Sequence, residues 1–231
     1  MKIKLYDNVK IKKGCIIIEG FPGFGLVGTI ASEYLIEHLK TKQVGEFEFD
    51  ELPATIAIHQ SKIVNPMALH YSEKYNLLIL HTILNIKGFE WQAAREVDAL
   101  AKKFKTKEII SLEGVNALVP DEDKVFYFGE KKFGSLGAEE LKESVIVGVT
   151  AALLLRNKKV NCLFAPTASA LPDSKAAASL IKMLDKYLGL EVDTAPLLEQ
   201  AKVFEEKLKG IMTQTQKTTE EADKKNLSYL G

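Results

Sequence analysis

The sequence has few of the features that mark several common protein classes. It contains only two cysteines, Cys15 and Cys162, and both lie in apolar runs, which is typical of buried thiols in a reducing compartment. Its 31 basic and 31 acidic side chains cancel, so no excess charge favours nucleic acid or an anionic membrane. No apolar run approaches the roughly 20 residues of a membrane span, and the first residues do not resemble a signal peptide. We therefore expect a cytoplasmic protein.

Motifs for metal binding, nucleophilic catalysis and nucleotide hydrolysis are also missing. The four histidines form no helical metal pair, and there is no Cys-x-x-Cys, nucleophile elbow or phosphate-binding loop with lysine. His59, His70 and His81 lie in strand-like segments that are possible neighbours, although hydrogen-bonded sheet histidines explain them equally simply. We predict no catalytic residue, no metal and no cofactor.

What the sequence does contain is 46% hydrophobic residues, enough for one sizeable core. Short apolar runs alternate with segments of helical periodicity, which predicts an α/β protein whose sheet is covered by helices on its faces. Residues 1–212 are interpreted as a single domain, and residues 213–231 as a polar tether with an apolar tip.

The predicted elements follow from this periodicity. Strands are predicted at 15–19, 44–49, 54–59, 67–71, 77–83, 107–112, 124–128 and 160–165. Helices are predicted from near Gly25, over 89–104, over 144–155, from Asp173 or Ser174 to Gly189, and from Thr194 onward. A long strand is the alternative for 144–155, which is apolar on nearly every side.

A glycine-rich turn is the one motif that suggests chemistry. Gly23, Gly25 and Gly28 form a G-x-G-x-x-G between a strand and a helix, as in dinucleotide-binding proteins, and Glu48 or Asp50 is placed to hold a ribose. Against this, Pro22 removes an amide that a phosphate would use, and Phe24 crowds the phosphate path. The alternative is a structural turn made by Gly20, Pro22, Gly23, Gly25 and Gly28, which needs no ligand.

Two groups of apolar residues are candidates for binding a partner. Phe21 and Phe24 lie in the glycine-proline loop, where they either pack into the core or anchor a partner. The tip of the tether provides the second group: Leu227, Tyr229, Leu230 and Gly231. An apolar tip on a polar tether is typical of a docking peptide, but a tail folded back onto its own domain fits the pattern equally well.

The segment Glu19-Gly-Phe-Pro-Gly-Phe-Gly-Leu-Val-Gly28 resembles the N-terminal signature of the archaeal branch of the proteasome-assembly-chaperone family. Other segments resemble later parts of the family in the same order. They are Gly88-Phe-Glu-Trp-Gln-Ala-Ala-Arg95, Lys107-Glu-Ile-Ile-Ser-Leu-Glu-Gly114, Ala165-Pro-Thr-Ala-Ser-Ala-Leu-Pro-Asp-Ser-Lys-Ala-Ala177 and Leu188-Gly-Leu-Glu-Val-Asp193. The resemblance runs from about Cys15 to Leu208.

The resemblance implies a three-layer α/β/α sandwich around a mixed, mostly parallel sheet, with a C-terminal helical extension. It further implies a homo-oligomer that assists assembly of proteasome core particles without ATP. The implied partners are other copies of the chain and either proteasome α subunits or another assembly chaperone of the family. The tip is similar to the docking tails of this system, but Tyr229 is third rather than second from the end and follows serine. A nucleotide- or dinucleotide-binding enzyme remains the alternative function.

Overall fold

The structure, a computed structural model, describes residues 1–49, 56–59, 62–117 and 124–199, together with Ala201, Val203 and Gly210. The strands are β1 (Lys2–Leu5), β2 (Ile16–Gly20), β3 (Lys42–Glu48), β4 (Ala57–His59), β5 (Lys62–Val64), β6 (Met67–Ser72), β7 (Leu77–Thr82), β8 (Ile109–Asn116), β9 (Phe126–Phe128), β10 (Glu139–Glu140) and β11 (Val160–Thr167). The helices are α1 (Val27–His38), α2 (Glu90–Phe104), α3 (Lys132–Ser135), α4 (Gly148–Arg156), α5 (Ser174–Leu188) and α6 (Ala195–Glu199). No helix in these ranges is long and apolar enough to cross a membrane.

Nine strands form one mixed sheet in the order β1-β3-β6-β7-β2-β8-β11-β9-β10. The four central strands, β7, β2, β8 and β11, run parallel. On one side of these strands, β6, β3 and β1 follow in turn, each antiparallel to its neighbour. On the other side β9 runs antiparallel to β11, and β10 runs parallel to β9. The central strands are apolar without alternation because helices cover both of their faces.

Helices on both faces of the sheet bury two separate hydrophobic cores. Alternate residues of each strand point to opposite faces, so Ile18 packs under α1 and α5 whereas Ile17 packs under α2 and α4. This arrangement is a three-layer α/β/α sandwich, as predicted.

Both ends of α5 match their sequence signals. Asp173 precedes α5, and its carboxylate accepts a hydrogen bond from the Ala176 amide at 3.0 Å. Gly189 ends the helix in the left-handed conformation, with φ of 62°. The helix predicted over 144–155 begins only at Gly148, because the β-branched Val-Ile-Val segment before it is extended.

Three strands were missing from the predictions: β1, β5 and β10. β1 is a sheet edge of alternating lysine and apolar residues, and β10 has only two residues, so neither carries a strong apolar run. The strand predicted over 54–59 is described from residue 56, with β4 at 57–59. The tether and tip at 213–231 lie outside the described residues.

A buried polar cluster ties the helices to the amino-terminal end of β8. The Lys132 ammonium donates to both oxygens of Glu108 at 2.9 and 2.8 Å and to the Tyr187 hydroxyl at 2.6 Å. Asn161 on β11 donates to the same carboxylate at 2.7 Å. Burial would lower the pKa of Lys132, but its bonds with Glu108 and Tyr187 more than reverse this effect. The cluster therefore joins α3, α5 and β11 through one charge pair.

We expect Lys132→Met to lower the free energy of unfolding by about 3 kcal/mol, since it leaves the Glu108 carboxylate buried without its cation. Urea denaturation at pH 7 measures this change. The control is Lys124→Met, which removes an exposed pair with Glu139 and should unfold like the wild type. Equal midpoints for all three proteins would show that the cluster does not stabilise the fold.

Candidate functional site

The glycine turn lies at the carboxyl end of β2, near the centre of the sheet. After Gly20 the chain passes through a short 3-10 turn, Phe24–Leu26, before α1 begins. Gly25 has φ of 65°, a conformation that favours glycine. From β2 the chain continues toward the β1 side of the sheet, and from β8 toward the β10 side. The crevice between β2 and β8 is thus the topological switch point, where α/β proteins commonly bind ligands.

Two glycines allow α1 to cross the sheet at very short range. A Cβ atom on Gly28 would lie 2.2 Å from the Leu112 carbonyl oxygen on β8, and one on Gly20 would lie 2.2 Å from the Gly28 carbonyl oxygen. These neighbours are backbone atoms that cannot move aside easily. Packing alone therefore explains glycine at these two positions.

Two glutamates accept hydrogen bonds from amide groups of the turn. Glu19, the penultimate residue of β2, is fully buried and accepts a hydrogen bond from the Phe21 amide at 3.2 Å. Glu113 on β8 accepts one from the Phe24 amide and lies directly against Gly23. In a dinucleotide-binding turn such amides bind the pyrophosphate. Here the carboxyl groups of the protein itself take that place.

Hydroxyl groups connect the two glutamates. The Thr150 hydroxyl, in the first turn of α4, lies 2.9 Å from Glu113 Oε2, 3.4 Å from Glu19 Oε1 and 2.7 Å from the Ser111 hydroxyl. Ser111 also hydrogen-bonds to Glu19. Burial raises the pKa of Glu19 to about 7, and burial together with the charge of Glu19 raises the pKa of Glu113 to about 8. We call Glu19, Ser111, Glu113 and Thr150 the carboxyl cluster.

A cavity of about 600 Å³ opens beside the turn, and we call it the switch-point cavity. Glu113 reaches it, together with the polar residues Asn85, Lys87, Glu90 and Asn116. Its walls are mainly apolar, formed among others by Phe21, Phe24, Leu26, Ile86, Val115, Ile146 and Val149. Val145 and Val147 also line it, and they are 89% and 74% exposed. Such a volume and composition suit an apolar group with a few polar contacts.

The structure places the two phenylalanines of the turn differently. Phe21 is only 4% exposed and packs edge-on against Phe47, with the ring centroids 6.0 Å apart. Phe24 is partly buried and lines the switch-point cavity. Phe24 is therefore the more accessible of the two to a partner.

Glu48, one of the two acidic residues offered by the dinucleotide hypothesis, is not near the turn. Glu48 ends β3, which is separated from β2 by β6 and β7, and it forms an ion pair with Lys4 at 2.9 Å. Asp50 lies outside the described residues. The glycine spacing is present, but the Phe21 and Phe24 amides are bonded to glutamates of the chain and Glu48 does not lie at the turn.

His70 and His81 lie on neighbouring strands of the nine-stranded sheet, β6 and β7. His81 lies between Ser32 and Glu33, each at 2.8 Å, an order that resembles a hydrolytic triad. Ser32 is fully buried, however, so no substrate reaches its hydroxyl. Burial and the neighbouring His81 lower the pKa of His70 to about 4. His59 belongs to the separate β4–β5 pair, and nowhere in the described ranges do three potential metal-ligating side chains of His, Cys, Asp or Glu converge.

Glu19 and Glu113 were not singled out as a pair from the sequence. Each is an acid followed by glycine at or near the carboxyl end of an apolar strand, Ile-Ile-Ile-Glu-Gly and Ile-Ile-Ser-Leu-Glu-Gly. A charged residue in a run otherwise buried on both faces is the signal that would have identified them. Their pairing depends on β2 and β8 being neighbours, which the sequence alone does not show.

Comparison with known proteins finds a matching family and several similar proteins. The model of the PAC2 family matches residues 17–212. Pyrococcus furiosus PbaA, an archaeal homologue of proteasome-assembly chaperone, is 27% identical, with a TM-score of 0.81 over 94% of this chain and 99% of that one. P. furiosus PbaB, an archaeal proteasome activator, is 25% identical, with a TM-score of 0.72 over 91% and 98%. An uncharacterised protein of Methanocaldococcus jannaschii is 29% identical over 99% of this chain and 98% of its own length.

We expect Gly28→Ala to destabilise the protein by about 2 kcal/mol or more, because the added methyl group meets the backbone of β8. Urea denaturation followed by circular dichroism measures the loss. Gly210→Ala is the matched control, since Gly210 is helical and a Cβ there meets nothing within 4 Å. The control should be neutral or slightly more stable; similar losses in both variants would contradict the packing role of Gly28.

We also expect nicotinamide and adenine nucleotides to leave the melting temperature unchanged at millimolar concentration. A ligand that binds only the folded state raises that temperature once its concentration exceeds its dissociation constant, and the rise grows with the logarithm of concentration. Here Glu19 and Glu113 bond to the Phe21 and Phe24 amides. A thermal-shift titration measures the effect. A concentration-dependent rise with any one nucleotide, lost in Gly23→Val, would restore the alternative function.

Proposed function

The chain belongs to the PAC2 family, and we propose that it is a non-enzymatic, ATP-independent chaperone or scaffold that binds subunits of the proteasome core particle during assembly. In this role the protein acts in the cytoplasm as a homo-oligomer. Its partners are other copies of itself and either proteasome α subunits or another assembly chaperone of the family.

The observation that carries this proposal is the agreement of fold and sequence with PbaA over nearly the whole of both chains. PbaA is an archaeal homologue of proteasome-assembly chaperone, and PbaB, which has the same fold, is an archaeal proteasome activator. Both descriptions connect this fold to the proteasome rather than to a small-molecule reaction. The occupied amides of the glycine turn agree with an activity that needs no nucleotide.

Two surfaces are proposed to bind partners. One is the switch-point cavity, where Phe24 and the exposed Val145 and Val147 offer apolar contacts at the carboxyl ends of the central strands. Phe21 also lines this cavity. The other surface is the tip formed by Leu227, Tyr229, Leu230 and Gly231. In a homo-oligomer several tethered tips bind together, so that individually weak contacts add up to a high overall affinity.

Native mass spectrometry tests the proposal directly. The purified protein is measured alone and after mixing with the proteasome α and β subunits of the same organism. We expect a discrete homo-oligomer that forms a complex of fixed stoichiometry with those subunits. If the oligomer forms no complex with either subunit, with or without ATP, the proposed role is wrong.

We expect deletion of Leu227–Gly231 to weaken binding of the proteasome subunits by at least about tenfold, since it removes the apolar tip at every copy of the chain. The melting temperature should not change. Surface plasmon resonance and thermal unfolding measure the two effects. Replacing Lys224 and Lys225 by serine keeps the tip and serves as the control; full binding after the deletion would assign docking to the cavity alone.

A further inference from the structure

Three contacts of the carboxyl cluster form a chain that needs one hydrogen atom more than its two hydroxyl groups supply. The chain runs from Glu19 to Ser111, from Ser111 to Thr150 and from Thr150 to Glu113. Thr150 also lies 3.4 Å from Glu19 Oε1, a longer approach that is not part of this chain. Each of these three contacts needs a hydrogen atom between two oxygens. Ser111 and Thr150 carry one hydroxyl hydrogen each, so the third hydrogen has to belong to a carboxyl group.

One proton on Glu113 satisfies the three contacts of this chain in a single direction. Protonated Glu113 then donates to Thr150, Thr150 donates to Ser111, and Ser111 donates to the Glu19 carboxylate. Glu19 also accepts from the Phe21 amide, so the remaining negative charge lies on the carboxylate with amide and hydroxyl donors around it. With no proton on either carboxyl, one contact joins two bare oxygens and two charges meet in a buried space.

Within the part of the chain that the structure describes, no cation is bonded to Glu19 or Glu113 to offset a second charge. On β11, Cys162 faces the two glutamates, and their charges together with burial raise the pKa of its thiol, so it stays neutral. On the α2 side of the cavity, Lys87 and Glu90 carry opposite charges. α4 presents only the positive end of its helix dipole, which favours a single anion at Thr150.

We propose that Glu19 and Glu113 hold a single proton between them, and that loss of this proton charges the floor of the switch-point cavity and weakens the docking of a proteasome subunit there. The second half of this statement rests on the proposed function, whereas the first concerns the chain by itself. Glu113 contacts both the cavity and the Phe24 amide, so its charge acts at the surface where an apolar group would bind.

The sign of the effect on stability follows from the raised pKa values of the two glutamates. A carboxyl whose pKa is higher in the folded protein than in the unfolded chain stabilises the fold at low pH. This contribution decreases as the pH rises from about 4.5, the ordinary value, to about 8, the folded value for Glu113. Above that pH the contribution is lost completely.

Glu113→Gln tests the shared proton. The side-chain amide of the glutamine donates a hydrogen bond to Thr150 at any pH, as protonated Glu113 does. We expect the variant to melt close to the wild type at pH 6 and roughly 5 °C above it at pH 9. Glu143→Gln, at an exposed position nearby, should follow the wild type throughout. A Glu113→Gln curve parallel to the wild type between pH 6 and pH 9 would overturn the proposal.

Carbon-13 NMR of the glutamate carboxyl groups provides a second measurement on the unmodified protein. We expect one carboxyl to stay protonated to about pH 8, and we expect Glu19→Gln to move that titration to lower pH by about one unit, since the neighbouring charge is gone. An unchanged titration in Glu19→Gln would mean that the two carboxyls do not share a proton.

The last arm measures partner binding across the same pH range. We expect affinity of the wild type for its proteasome subunit to fall at least about fivefold from pH 7 to pH 9, and that of Glu113→Gln to stay level. Equal falls in both proteins would remove the link to docking even if the proton is shared. If no subunit binds at any pH, the proposed function fails while the melting and NMR results still decide whether the proton is shared.

Discussion

The close crossing of α1 over β2 and β8 is the constraint on which the rest of the site depends. With hydrogen atoms in place of side chains at Gly20 and Gly28, the helix backbone contacts the strands directly. The turn before the helix is then held against the carboxyl ends of two strands at the centre of the sheet. This position brings the Phe21 and Phe24 amides within reach of Glu19 and Glu113, and it places Phe24 on the cavity wall.

The same backbone motif thus binds an anion, but the anion is part of the protein. A strand-turn-helix unit with free amides is suited to a phosphate because those amides and the start of the helix carry partial positive charge. When carboxyl groups from β2 and β8 fill that place, the requirement is met internally and no external ligand is needed. The cavity that remains is lined mainly by apolar side chains, which offer contacts to an apolar group of a partner.

Much of the fold could be predicted from local patterns, whereas the site could not. The central strands and α2 and α5 have strong periodicity, and Asp173 and Gly189 mark the ends of α5 by well-understood capping chemistry. The edge strands β1 and β10 could not be predicted, because pairing with β3 and β9 stabilises them and their own sequences carry no strong apolar run. The extended start of 144–155 was misjudged because apolar content was weighed above the β-branching of Val145, Ile146 and Val147. The pairing of Glu19 with Glu113 is a long-range property, fixed by strand order.

The exposed valines before α4 also bear on how the protein behaves in solution. Val145 and Val147 protrude from an extended segment, and extended β-branched segments at a surface readily associate with one another. Lys142 and Glu143 stand immediately before them and are exposed, the position in which charged residues limit aggregation of a neighbouring apolar segment. Residues 142–147 therefore combine an apolar segment that can associate with charges that oppose its association. Removing the charge of Lys142 or Glu143 would favour aggregation without altering the fold.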